Sequence, residues 1–305
     1  MAGPALVIEP KSGLVLYAED PDALWHPASL TKLMTAYLTF EALRKGELTL
    51  EDKVTSSAHA LKQPPSKIGL PVGHQITVDK ALKALIVKSA NDVAVMLAEK
   101  IGGTEAAFVR QMNATAKRLG MTRTHFNNAN GLPDDKQITT ARDLAILARM
   151  LLKEYPQHAY LYSLPQVKFG KRVIRSHNRL LKTFEGADGM KTGFICDSGY
   201  NVVASARRGG KQIVAVVLGA RSGRARTARA AALIEHGFKT YMWKTMFSTP
   251  LDQMKRSAHA SNTPGKMREI VCRVRKRHRK RRHRRHRRKK HKHHKKASKN
   301  AGKKK

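Results

Sequence analysis

Acidic residues are scarce in this 305-residue chain: 22 Asp and Glu stand against 60 Lys and Arg, a net charge of +38. The shortage is uneven. Residues 265–305 hold 23 of the Lys and Arg and one acid, Glu269, while residues 1–264 keep a net charge of +16. The chain therefore reads as a moderately basic body followed by a separate cationic tail. Cysteine is nearly absent. Cys196 falls in a strand-like apolar stretch and Cys272 at the root of the tail, so each reads as a lone thiol rather than part of a disulfide framework. Long apolar runs are missing too: nothing approaches the roughly 20 residues of a spanning helix. After Met1 there is no basic segment followed by an apolar one, so no signal peptide is seen. On that ground the chain reads either as cytosolic or as a mature or late-started form of an exported protein. There is no internal repeat.

What is present is ordinary for a globular body: 41% hydrophobic and 27% charged residues, and a length sufficient for one large domain or two small ones. Ala5–Glu9 and Leu14–Glu19 flank a Pro-Lys-Ser-Gly turn and predict a hairpin. A helix is expected from Ser29 to about Leu43, with Leu30, Leu33, Met34 and Tyr37 on one face. Further helices are expected over Val78–Lys88 and Asn91–Ile101, from the cap Thr104 to Gly120, and from Thr140 to before Pro156. After Pro165 the period changes. Val167–Arg175, Met190–Cys196, Tyr200–Ala206 and Gln212–Gly219 read as strands, and about Arg224–Trp243 as a last helix. This is an α+β pattern: an antiparallel sheet, joined by the first hairpin, flanked by a helical subdomain. Residues 1–245 would form one domain, 246–264 a polar linker and 265–305 a disordered tail.

Three short strings carry chemistry. Ser29-Leu30-Thr31-Lys32 places a hydroxyl and an amine three residues apart at a helix start, where they are face neighbours. A serine is a weak nucleophile and needs a base within hydrogen-bond reach. Lys32 can serve only if neutral, so its proton affinity must be lowered by burial or by a nearby cation. Lys191, in Lys191-Thr192-Gly193, is the candidate cation. Ser89-Ala90-Asn91 sits between two helices, where Ser89 could relay a proton and Asn91 hold Lys32 or a substrate amide. Gly193 would let a substrate backbone approach the strand. Short motifs recur by chance, and two decoys exist: Lys11-Ser12-Gly13, in a turn before the nucleophile, and Ser176-His177-Asn178, only a dozen or so residues before Lys191. Order and setting, rather than any one string, single out the trio.

At these residues the chain resembles the serine-type D-alanyl-D-alanine carboxypeptidases, the low-molecular-mass penicillin-binding proteins. The likeness spans roughly residues 4–243. It takes in Leu14–Ala18, Pro27–Thr35, Ser89–Asp92, Phe126–Leu132, Asp188–Gly193 and Gly199–Ala206. It implies a β-lactamase/transpeptidase-like fold and attack by Ser29 on the terminal D-Ala–D-Ala bond of a peptidoglycan pentapeptide. Lys32 would be the base, and Ser89 with Lys191 would return a proton to the leaving D-alanine. The oxyanion would lie between the backbone N–H groups of Ser29 and Phe194. Thr192 and Arg226 would meet the terminal carboxylate, β-lactams would acylate Ser29, and no cofactor or metal would be needed. Phe194 stands where the family often has histidine. A life outside the cytoplasmic membrane is implied as well.

Two relatives in chemistry compete with this reading: a D,D-endopeptidase, and a β-lactamase, for which no convincing loop with a deacylating glutamate is found. A third alternative is a polyanion-binding protein acting through its tail. Arg273–Lys296 is nearly all Arg, Lys and His, a self-repelling block that cannot bury a core. It suits anionic envelope polymers or a lipid surface. Nucleic acid is the less favoured partner, because no aromatics are interleaved for stacking. His291, His293 and His294 mark no defined metal site.

Overall fold

The computed structural model describes residues 3–257 and 260–273, without the side chains of Thr245, Met246 and Arg273. The Arg/Lys/His block of 274–305, with its histidines, lies outside the described residues. In chain order the strands are β1 (Ala5–Ile8), β2 (Val15–Glu19), β3 (Lys53–Thr55), β4 (Gln75–Thr77), β5 (Gln166–Phe169), β6 (Arg172–Arg175), β7 (Ala187–Ile195), β8 (Gly199–Arg208) and β9 (Lys211–Ala220). The helices are α1 (Lys32–Arg44), α2 (Ala58–Lys62), α3 (Val78–Lys83), α4 (Asn91–Gly102), α5 (Glu105–Arg118), α6 (Ala141–Glu154), α7 (Tyr160–Ser163), α8 (Leu180–Thr183) and α9 (Gly223–Phe247).

The main sheet is antiparallel throughout, in the order β2-β1-β9-β8-β7. The N-terminal hairpin does join the late strands, with Leu6 opposite Val216. Side chains alternate across a strand, and here both faces are apolar. Leu6, Ile8, Val203 and Val214 face the helical subdomain. Val7, Val202, Ala204 and Ile213 face Ala230 and Ile234 of α9. The sheet is therefore a middle layer. In the subdomain α1 is the axial helix, buried on every side from Lys32 to Phe40. Its polar residues are satisfied internally: Thr35 donates to the Ala129 carbonyl at 2.6 Å and Thr39 to that of Thr35 at 2.8 Å. Thr104 and Thr140 cap α5 and α6 as anticipated, accepting from the amides of Ala107 and Asp143. No helix among the described residues is long and apolar enough to cross a membrane.

Several expectations are corrected. The run 78–88 is not one regular helix: α3 passes into a turn of π-helix, Ala84–Lys88, that ends on Ser89 in the left-handed region (φ 61°). The run 167–175 is two strands, β5 and β6, hinged at Gly170 and forming their own hairpin. Residues 246–264 are not a free linker. Leu251 is buried. Arg142, ion-paired with Asp22 at 2.6 Å, also donates to the carbonyls of Met254 and Lys255, and the Ser257 amide donates to Asp22. The first residues of the tail are held as well. The Met267 amide donates to the Asp197 carbonyl at 2.9 Å, Arg268 pairs with Asp197, and Met267 and Val271 are buried. The two cysteines are not lone thiols: Cys196 and Cys272 form a disulfide across 76 residues. That return of the chain past Trp25 to the β7–β8 turn is a tertiary event with no local trace in the sequence.

Candidate active site

Ser29 lies on a single 3-10 turn, Ala28–Thr31, which leads directly into α1. Ala28 has φ 49°, a left-handed conformation that costs an L-residue roughly 1–3 kcal/mol. It is held there by its surroundings. Gly131 (φ +81°) lies so close that a Cβ at that position would overlap the Ala28 carbonyl. Asn201 of β8 ties the turn to the sheet, donating to the carbonyls of His26 (3.0 Å) and Pro27 (3.3 Å) while accepting from the Gly219 amide.

Lys32, one turn on, is fully buried. Its Nζ donates to Ser29 Oγ at 3.0 Å, to Asn91 Oδ1 at 2.8 Å and to the Asn130 carbonyl at 2.5 Å. Burial first, and the Lys191 charge second, hold its proton affinity well below the ordinary lysine range, against a smaller opposing pull from Asp92. The order matters: desolvation, not the neighbouring lysine, is the main reason Lys32 tends to neutrality.

The second half of the site comes from the π-helical turn and the edge strand β7. Lys191 Nζ donates to Ser89 Oγ at 2.7 Å and to the Thr192 carbonyl at 3.1 Å. Burial, then the Arg226 charge, push Lys191 down to about 7. Arg226, in the first turns of α9, is itself buried and donates to the His177 carbonyl at 3.3 Å; burial lowers it to about 10. None of Lys32, Lys191 and Arg226 forms an ion pair among the described residues. The site therefore holds basic groups that no direct ion pair cancels, Asp92 acting on Lys32 only from a distance. Thr192 lines the same strand and is nearly buried. Gly193 also meets a steric need within the protein itself. A Cβ there would lie 3.0 Å from the Pro27 carbonyl oxygen and 3.1 Å from the Ser29 amide nitrogen. Its bareness lets β7 close on the nucleophile turn. Phe194 pairs with Tyr200 across the ladder, ring centroids 4.3 Å apart.

Asn91 does double duty: its Oδ1 holds Lys32 while its Nδ2 donates to the Pro64 carbonyl at 2.8 Å. Asp92 accepts from the amides of Ile68 and Gly69 and so fastens the 64–70 loop over the site's edge. All the residues singled out from the sequence thus converge. Those it missed are Asn130, acting through its carbonyl, Gly131 and Asn201. A carbonyl ligand leaves no side-chain signature, but an Asn-Gly pair at 130–131 is a turn signal that the loop's role could have been asked of. The decoy Ser176-His177-Asn178 proves to be support: Asn178 donates to the Gly189 carbonyl of β7 at 2.8 Å and His177 holds Arg226.

A buried serine–lysine pair and a second lysine–serine pair lie between an antiparallel sheet and a helical subdomain, a grouping that holds the residue types of a serine acyl-transfer site with lysine in the place of histidine. Residues 1–222 match the family model described as D-alanyl-D-alanine carboxypeptidase, peptidase family S11, and the chain belongs to that family. It is 38% identical over 244 residues to the D-alanyl-D-alanine carboxypeptidase DacF of Bacillus subtilis, covering 78% of this chain and 62% of that one. Among solved structures it superposes on penicillin-binding protein 5 of Haemophilus influenzae with a TM-score of 0.75 at 34% identity, covering 78% of this chain and 71% of the other. On the cefotaxime-bound form of penicillin-binding protein D2 of Listeria monocytogenes the TM-score is 0.68 at 34% identity, covering 78% and 97% respectively. The chain spans about three fifths of the length of the curated relatives it matches.

Proposed function

We propose that this protein hydrolyses the terminal D-Ala–D-Ala bond of peptidoglycan stem peptides through an acyl-enzyme on Ser29. The observation that carries the reading is the buried Lys32 ammonium site, 3.0 Å from Ser29 Oγ and driven toward neutrality. Ser29 Oγ attacks the carbonyl carbon while its proton passes to Lys32 Nζ. The oxyanion is taken by the amides of Ser29 and Phe194. The tetrahedral adduct collapses, the C–N bond breaks, and the leaving nitrogen receives a proton through Ser89 from Lys191. Arg226 and Thr192 hold the free carboxylate of the departing D-alanine. Once D-alanine has left, Lys32 gives up its proton to solvent and Lys191 regains one. Water then attacks the ester, its proton passing to Lys32 Nζ, the ester C–O bond breaks, and Lys32 returns that proton to Ser29 Oγ. Positive charge that no direct ion pair cancels selects a substrate with a terminal carboxylate, which a β-lactam also presents. The disulfide supports action in an oxidising, extracytoplasmic compartment.

Two measurements test this. A fluorescent penicillin should label the wild type covalently and leave Ser29→Ala unlabelled. Free D-alanine should be released from a pentapeptide ending in D-Ala-D-Ala. An unlabelled wild type would refute the acyl-enzyme. Labelling without D-alanine release, but with cleavage of cross-linked peptide dimers, would replace the carboxypeptidase reading by an endopeptidase.

A further inference from the structure

Beside the catalytic cleft lies a second, differently built groove of about 640 Å³. One part of its lining comes from Lys53, Lys67 and Lys80, around β3, β4 and the 64–70 loop. Another comes from Lys168, Lys171 and Arg172 of the β5–β6 hairpin, and Lys88, next to Ser89, completes it. No Asp or Glu lines it, and none of these seven cations forms an ion pair among the described residues. Apolar side chains, Ile68, Leu70, Ile76, Phe169 and Ile174, lie among them, together with His74. The groove reaches the site through short links: Ser66 Oγ donates to the Lys88 carbonyl at 3.0 Å, and the Asn91 amide donates to the Ser66 carbonyl at 2.7 Å.

Neighbouring like charges in one groove repel each other wherever they lie within the screening length, about 8 Å at physiological salt. The fold gains nothing from that arrangement, but a polyanion threaded between the two sides would relieve it. We propose that this groove binds a linear phosphate-bearing polymer without bases, a phosphodiester-linked polyol or sugar chain, and so tethers the enzyme along such a polymer with its cleft alongside. Four features select this occupant. Six of the seven cations are lysines, point charges suited to successive phosphates rather than to bidentate recognition of one flat anion. The cations are arranged around a concavity, which a thread can enter and a flat bilayer surface cannot. The rings in the lining, Phe169 and His74, offer no series of stacking platforms for bases. Apolar lining between the charges suits the carbon linkers between phosphates.

The test uses the full chain, tail included, and long-chain inorganic polyphosphate as probe, with affinity measured by fluorescence anisotropy over a salt series. Lys168→Gln/Lys171→Gln/Arg172→Gln removes three groove charges. Lys100→Gln/Arg110→Gln/Lys117→Gln removes three exposed charges from α4 and α5, and thermal melts verify that both variants fold. The groove variant should weaken binding roughly tenfold or more and lower the salt slope by about 2, as expected for three lost phosphate contacts, while the control variant changes little. Equal losses in the two variants would show diffuse charge, and no loss in either would place binding in the tail; both overturn the proposal. Anionic phospholipid vesicles that bind through the groove while polyphosphate does not would reassign it to a membrane. Single-stranded DNA binding more tightly per phosphate than polyphosphate would reassign it to nucleic acid.

Discussion

Lys191→Met isolates the energetic cost of the site. The side chain is fully buried, and its proton affinity falls from the ordinary 10.5 to about 7. A lysine depressed in the folded state binds fewer protons there than in the unfolded chain, so it destabilises the fold below its unfolded value. The penalty is full at pH values below 7 and is relieved as pH rises toward 10.5. One pH unit of difference is worth about 1.36 kcal/mol, so Lys191 costs on the order of 4 kcal/mol at pH 7 and about 2 kcal/mol at pH 9. Methionine fills similar space without the charge. It also leaves Ser89 Oγ without its 2.7 Å partner, which returns about 1–3 kcal/mol of cost. The absolute change at one pH therefore mixes two effects, but the pH dependence does not. Urea unfolding at pH 7 and pH 9 should show the wild type gaining about 2 kcal/mol more than Lys191→Met over that interval. Penicillin acylation should fall by orders of magnitude in the same variant. Parallel pH dependence, agreeing within about 0.5 kcal/mol, would refute the claim that Lys191 is held near neutrality by burial.

Other consequences can be measured directly. If protonated Lys191 is needed to protonate the leaving group, kcat/KM for acylation should decline as pH rises through about 7; a flat profile from pH 6 to 9 would remove Lys191 from that role. Gly193→Ala puts a methyl group 3.1 Å from the Ser29 amide nitrogen, so acylation should drop 10-fold or more with little change in the thermal midpoint. Gly131→Ala meets the Ala28 carbonyl at a left-handed φ, and loss of both stability and labelling is expected. Cys196→Ser/Cys272→Ser opens a 76-residue loop, for which chain entropy predicts a loss of up to about 4 kcal/mol in unfolding free energy. Unchanged unfolding under reducing and oxidising conditions would show that the disulfide adds nothing.

What the sequence reveals and what it hides divide along physical lines. Ser29 and Lys32 are legible because three residues of helical chain bring them together without tertiary help. Ser89, Asn91 and Lys191 are legible only as strings, since their approach depends on β7 meeting the π-helical turn across about a hundred residues. The strand pattern of 187–220 shows clearly through its apolar runs and the Arg207-Arg208-Gly209-Gly210 turn. The helix 78–88 misleads because its apolar spacing continues unbroken through a change of hydrogen-bond period. Polar composition made 246–264 look like a linker. It is fixed by backbone carbonyls offered to Arg142, a kind of anchor that composition does not show.

The costs in this fold gather at one place. Of the three non-glycine residues with left-handed backbone among the described residues, Asp20, Ala28 and Ser89, two lie in the site. Among the described residues Lys32, Lys191 and Arg226 are buried without forming an ion pair. Each costs free energy, and each has a counterpart in the proposed chemistry: the turn presents Ser29 Oγ, desolvation neutralises the base, and unpaired positive potential awaits a carboxylate. The surroundings that hold them are rigid for the same reason. Asn201 and Gly131 clamp the Ser29 turn from opposite sides. Asp92 ties down the loop above. The C-terminal segment, stapled at Cys272, closes against the end of the strand that carries Lys191 and Phe194. Relaxing any one of these supports would let water reach Lys32, and a hydrated Lys32 would take up a proton and cease to be a base. Burial of this site is thus the condition for its reactivity, and the stability lost to it is inseparable from the activity it permits.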